Sequence, residues 1–114
     1  VGKYLVQPVT ATNGLIALDI SDPQKPVEVS RLDIDHEFHM PHWLSADESG
    51  RIVITGNDQP WVLIAAIDAE SGKLALDETF RDPGSDRPGV IFGASPFPHG
   101  DSGAAQVHGA LFRR

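Results

Sequence analysis

Three of the chain's five histidines stand at steps of three in Asp35-His36-Glu37-Phe38-His39-Met40-Pro41-His42-Trp43, beside a carboxylate, a thioether and an indole. The other two, His99 and His108, lie near the C-terminus and each precedes a glycine. Imidazole is the commonest protein ligand for transition metals, and three imidazoles on copper or zinc is a recurrent arrangement. The chain has no cysteine, which excludes disulfides, thiolate ligands and a Cys nucleophile and leaves His, Asp, Glu and Met as donors. The candidate metal ligands are therefore His36, His39, His42, His99 and His108, with a copper ion as the expected cofactor and zinc or iron as alternatives.

Geometry limits what the cluster can do. In an extended strand alternate residues share a face, so His36 and His42 point one way and His39 the other. All three reach one ion only if the chain bends at Pro41. The spacing His-x-x-His-x-x-His is not the His-Glu-x-x-His zinc-protease pattern, and no helix carries it. It does not fit the cupin arrangement either.

Each of these residues also has a purely structural reading. A histidine fits a polar loop position without any ligand, and Glu37 fits a solvated loop charge better than a general base. Met40 fits core filling better than soft copper ligation, and Trp43 and Trp61 fit packing between sheets. Asp19, Asp22 and Asp68 are turn residues before they are calcium ligands. Ser45, Ser49 and Ser102 form no nucleophile elbow, and the glycines form no phosphate-cradling loop.

The elements that must position these groups are strands. Lys3–Thr10 is rich in β-branched and aromatic residues and is expected to end or bulge at Pro8, which lacks an N–H. Thr12-Asn13-Gly14 predicts a tight hairpin turn with positive φ angles, leading to a strand over Leu15–Ile20. Ser21–Pro26 is a turn, and Val27–Leu32 alternates with period two. After the cluster, Asp47-Glu48-Ser49-Gly50 is a turn, Arg51–Asn57 a strand, and Trp61–Ile67 a strand apolar on both faces. Asp68–Lys73 turns the chain into an alternating stretch, Leu74–Phe80. Arg81–Gly89 is breaker-rich loop. Val90–Phe92 is a brief strand, Pro96–Gly103 loop again, and Ala110–Phe112 the start of a further strand. The tail holds too little apolar material for a core of its own and is expected to lie over the strands.

The bulk properties set limits on partners. At 114 residues the chain is one domain by length, 40% hydrophobic and 22% charged. A net charge of −7 with only nine scattered Lys and Arg argues against nucleic acid, which is bound through clustered cations. No apolar run approaches the roughly 20 residues that span a bilayer, which predicts a soluble mature chain without a membrane partner. The start at Val1-Gly2-Lys3, directly on a strand-like run, predicts a processed or excised N-terminus. The compartment stays open, a periplasmic or secreted one being favoured.

An internal repeat ties the strands together. Leu15–Asp19, a polar turn and Val27-Glu28-Val29 correspond to Leu63–Asp68, a polar turn and Leu74-Ala75-Leu76, placing Asp19 and Asp68 49 positions apart. Units of about 40 to 50 residues are the size of a propeller blade. Pro41–Asn57 resembles a YVTN-type β-propeller repeat, with a Pro-His start, an Asp-x-x-Gly turn and a strand ending in Thr55-Gly56-Asn57. Leu18–Val29 is similar to the LVIVP-type repeat, and Pro98-His99-Gly100 with Val107–Phe112 resembles the C-terminal end of selenium-binding-protein-like propellers, relatives of methanethiol oxidase.

The expected architecture is all-β, with antiparallel strands in two blade-like units, residues 1–40 and 41–80, and a loop-rich closing tail, 81–114. A small β-sandwich or jelly roll is the alternative. The resemblance implies that His42, His99 and His108 precede inner strands and face a central channel together. It also implies a copper-dependent oxidase acting on a small sulfur compound. A propeller usually has about four to eight blades, so the chain is expected to be the C-terminal piece of a longer protein, to self-associate, or to fold alone. A non-catalytic interaction module and a stand-alone jelly-roll metalloenzyme are the competing functions.

Overall fold

The structure, a computed structural model, describes residues 1–93, 96–97, 100–101 and 106–113. It is all-β. Among the described residues, ten strands run in chain order: β1 (Tyr4–Val9), β2 (Gly14–Asp19), β3 (Val27–Asp33), β4 (Pro41–Ala46), β5 (Arg51–Gly56), β6 (Trp61–Ile67), β7 (Leu74–Leu76), β8 (Val90–Ile91), β9 (Pro96–Phe97) and β10 (Gly100–Asp101). The first three form an antiparallel meander, and β4-β5-β6-β7 form a second. Strand β8 continues the edge begun by β7, since both pair with β6. Among the described residues, strands β9 and β10 pair with each other.

Several sequence expectations change in detail. Strand β1 runs through Pro8, which pairs with Leu15, because β1 is an edge strand where a missing N–H breaks no inner ladder. The β1–β2 connection is a 3-10 turn, Thr10–Thr12, closed by Asn13 at φ 50°. Only Asn13 of the Asn-Gly pair takes a positive φ. Gly14 serves a different need, since a Cβ there would stand 2.5 Å from the Leu32 carbonyl oxygen of β3. The alternating stretch after Gly72 is a strand only to Leu76, because the Asp77 carboxylate then accepts from the Thr79 amide and hydroxyl and from the Phe80 amide, turning the chain. Pro96–Gly103 contains the β9–β10 pair rather than loop alone, and Ala110–Phe112 has no strand partner among the described residues.

The two meanders pack face to face. Tyr4, Leu15 and Ala17 from the first sheet meet Ile52, Ile54, Leu63, Ala65, Ile67 and Leu74 of the second in one buried core. Polar links cross the same interface: the Tyr4 hydroxyl donates to the Glu70 carbonyl, the Ser30 hydroxyl donates to the Gly72 carbonyl, and Leu74 N–H donates back to Ser30 Oγ.

Aspartates set the turns by a common device. Asp19, Asp47 and Asp77 each accept from the backbone N–H and the hydroxyl of the Ser or Thr two residues on, and Asp68 does the same with Ser71. Such bonds favour the ionised form. The Ser21 hydroxyl and amide, with Lys3 alongside, hold Asp19 at a pKa of about 2, and the Ser49 hydroxyl, with Arg51, holds Asp47 at about 2. Asp68 and Asp77 are lowered by Ser71 and Thr79 in the same way. The turn reading of Asp19 and Asp68 holds, and Asp22 likewise accepts from the Gln24 amide.

Candidate metal centre

The histidine-rich stretch is a turn followed by a bulge, not a strand. Phe38 N–H donates to the Asp35 carbonyl, and the Asp35 carboxylate accepts from the Glu37 amide, so His36 and Glu37 sit at the tip of a tight turn. The strand geometry that would align His36 with His42 is absent because Phe38 needs the core. Its ring is fully buried and meets Trp61 edge-on, with centroids 5.4 Å apart. Driving that ring inward leaves its neighbours outside. The His36 side chain is 96% exposed beside Asp35, and His39 is exposed.

Two amides from elsewhere clamp this turn. The Gln59 side-chain oxygen accepts from His39 N–H at 2.7 Å while its nitrogen donates to the Glu37 carbonyl at 2.9 Å. Asn13 donates to the Ile34 and Asp35 carbonyls and accepts from Met40 N–H. Met40 itself takes φ 54°, which swings the chain into β4. Glu37 is an exposed carboxylate paired with Arg87, whose guanidinium lies 4.6 Å from the Trp61 ring centre. Neither Gln59 nor Phe38 stood out in the sequence; the signal available was an amide in a turn and one large apolar residue amid polar ones.

At Pro41 the ladder slips. Pro41 pairs with Gly56 but Trp43 pairs with Thr55, so His42 is the extra residue of a β-bulge, and a bulge re-aims the side chain it carries. The C-terminal tail crosses the outer face of this sheet. Val107 N–H donates to the Gln59 carbonyl, and the buried Thr55 hydroxyl donates to the His108 carbonyl at 2.9 Å. Gly109 lies against the Trp43 indole, where a Cβ would come within 3.2 Å of the ring, and Arg51 stacks on Phe112 at 4.9 Å. The expectation that the tail covers the strands holds for residues 106–113. Trp43, by contrast, lies under the tail at 41% exposure rather than between the sheets; Trp61 is the buried one.

The outcome is that His42 and His108, 66 positions apart in the chain, are neighbours. Their ring centres are 5.5 Å apart at an interplanar angle of 63°, and the Trp43 ring centre is 6.3 Å from His108. An ion about 2.0 Å from a nitrogen of each ring would set the ring centres about 5 to 5.5 Å apart at ligand angles of about 105 to 120°. The observed spacing lies within that range and is equally that of an edge-to-face ring contact. His99 lies outside the described residues. Among the described residues no group of three His, Asp or Glu is arranged around one point.

At the far end of β4 from His42, an open groove of about 710 Å³ runs between the β4–β5 turn and the tail, with Ser45, Asp47, Arg51 and Phe112 on its walls. No helix among the described residues is long and apolar enough to cross a membrane. No known protein family, curated protein or solved structure matches this chain.

Proposed function

We propose that the chain binds a transition-metal ion of the copper type through His42 and His108, with His99 as the third imidazole, and acts in an oxidase of the selenium-binding-protein-like class. The observation that carries the reading is the 5.5 Å approach of two imidazoles from opposite ends of the chain. A strand histidine and a tail histidine meet there because a bulge aims one ring and a buried hydroxyl pins the backbone of the other. Copper held by imidazoles supplies one-electron chemistry with oxygen. Both imidazoles are exposed, with the Trp43 ring centre 6.3 Å from that of His108, so an ion held there would keep open positions for a small substrate.

His36 and His39 play no part in this reading, since among the described residues the close imidazole contact is the one between His42 and His108. The experiment is a count of coordinating nitrogens by pulsed electron paramagnetic resonance on the chain loaded with one equivalent of Cu(II). The expected signal is imidazole nitrogen, reduced by one ring in His42→Ala and by one in His108→Ala. An unchanged nitrogen count in both variants overturns the reading.

The second reading, a non-catalytic interaction module, is favoured by one observation. Leu5, Leu111 and Phe92 are large apolar side chains left 47%, 77% and 50% exposed on a chain with few aromatic residues. It predicts the same fold with no metal bound at one equivalent.

A further inference from the structure

The chain holds two asparagines, and only Asn13 precedes a glycine. That order makes its side-chain amide chemically labile, because a glycine leaves the following backbone nitrogen unhindered and the chain free to bend onto it. Neither residue of the pair is passive turn filler. Gly14 is buried, pairs with Val9 on one side and Asp33 on the other, and lies so close to β3 that a Cβ would stand 2.5 Å from the Leu32 carbonyl oxygen. Asn13 stands at φ 50° and ψ 49°, and its side chain closes three bonds to the next connection. Nδ2 donates to the Ile34 carbonyl at 3.3 Å and to the Asp35 carbonyl at 3.0 Å, and Oδ1 accepts from Met40 N–H at 2.9 Å.

These bonds grip both ends of the histidine turn, which opens at Asp35 and leaves at Met40. Met40 holds φ 54°, a conformation that a non-glycine residue keeps only where its surroundings fix it. The same bonds shield the amide from its neighbour. Ring closure needs the Gly14 nitrogen about 3 to 3.5 Å from Asn13 Cγ and in line with it. Reaching that geometry means releasing all three side-chain bonds and rotating ψ of Asn13. The rotation also breaks the 3.1 Å bond from Ile34 N–H to the Asn13 carbonyl and pulls Gly14 from its ladder.

We propose that Asn13 is a site of deamidation that the fold holds closed, and that its conversion irreversibly unfastens the Asp35–Met40 turn. The Gly14 nitrogen bonds to Asn13 Cγ, the Cγ–Nδ2 bond breaks, and the amide leaves as ammonia with the proton that Gly14 gives up. Water then opens the cyclic imide at one of its two carbonyls, giving aspartate or isoaspartate. Aspartate accepts but does not donate, so the Ile34 and Asp35 carbonyls lose their donor and face a new negative charge. Isoaspartate lengthens the backbone by one carbon beside Gly14, whose pairing with Val9 and Asp33 and close fit to Leu32 fix its place. The turn leads into Pro41 and His42, but the modification and its effect are read without metal.

The test follows deamidation by peptide mapping and mass spectrometry at mildly alkaline pH, for the full chain folded and in urea that unfolds it, with backbone amide exchange measured on Asn13→Asp. Asn13 is expected to convert at least about tenfold more slowly in the folded chain, where the bonds must first open. Asn57, which precedes Asp58, is the internal reference and is expected to convert more slowly than Asn13 in urea. Aspartate tolerates a positive φ, so exchange at Phe38 and Met40 that is about fivefold or more faster in Asn13→Asp reports the lost donor rather than backbone strain. Equal rates for Asn13 in the folded and unfolded chain overturn the proposal. So does wild-type exchange at Phe38 and Met40 in Asn13→Asp, or an Asn57 that converts as fast as Asn13 in urea. The rate comparison uses the wild type and decides the matter if Asn13→Asp fails to fold.

Discussion

The hydroxyl of Thr55 on β5 donates to the main-chain carbonyl of His108 at 2.9 Å, although 53 residues separate them. Thr55 is fully buried, and its bond is what fixes the tail over the sheet at the position of the second imidazole. Replacing the hydroxyl by a methyl keeps the shape and removes the donor. Thr55→Val is therefore expected to weaken Cu(II) affinity about two- to tenfold, the equivalent of a net hydrogen bond of about 0.5–1.5 kcal/mol. Isothermal titration measures it; unchanged affinity would mean that the tail is held at His108 by other contacts.

Gln59 distinguishes the clamp on the turn from the metal pair. Gln59→Leu removes both side-chain bonds, to His39 N–H and the Glu37 carbonyl, but leaves its own carbonyl to accept from Val107 N–H. The expected result is a loss of about 1–2 kcal/mol in stability and faster amide exchange at His39. Metal affinity is expected to stay the same. A Gln59→Leu variant that loses its metal would bring His39 back as a ligand.

Gly89 shows why the breaker-rich loop cannot vary freely. Its φ is +94°, and a Cβ would collide with the Trp61 indole and come within 2.6 Å of Leu63 Cδ2. The indole N–H meanwhile donates to the Pro88 carbonyl at 3.2 Å. Gly89→Ala is expected to cost about 3 kcal/mol or more, from backbone strain and overpacking together, read as a lower denaturant midpoint.

Acid is expected to loosen the turns before the core. Asp19 and Asp47 have pKa values of about 2 in the folded chain against an ordinary 3.8, so the unfolded chain binds more protons between those values. Their contribution is fully present above about pH 4 to 5 and is lost as pH falls through about 2. Thermal midpoints should fall across that interval, and the slope should flatten in the Asp19→Asn and Asp47→Asn variants. A midpoint independent of pH between 5 and 2 would contradict the turn account.

Much of the fold was legible in the sequence, because period-two patterning and turn residues are local signals. The strands around Leu15, Val27, Ile52 and Trp61 and the turns at Asp19, Asp47 and Asp68 needed nothing else. What failed depended on distant partners. The brevity of β7 comes from the Asp77 turn, and the collapse of the histidine stretch into a turn comes from Phe38 finding Trp61. In the candidate site the resemblance implied that His42 and His99, with His108, face a common channel; the structure shows the His42 and His108 rings as neighbours, and the bulge and the Thr55 bond found there depend on strand register. Residue types do not encode a one-residue slip.

The most direct test is a copper titration of the wild type against the double variant His42→Ala/His108→Ala, both checked for fold by circular dichroism. The account predicts one equivalent bound tightly by the wild type, weakening as protons compete at lower pH, and at least a 100-fold loss in the double variant. Equal binding by the two proteins, or none by the wild type, would contradict it.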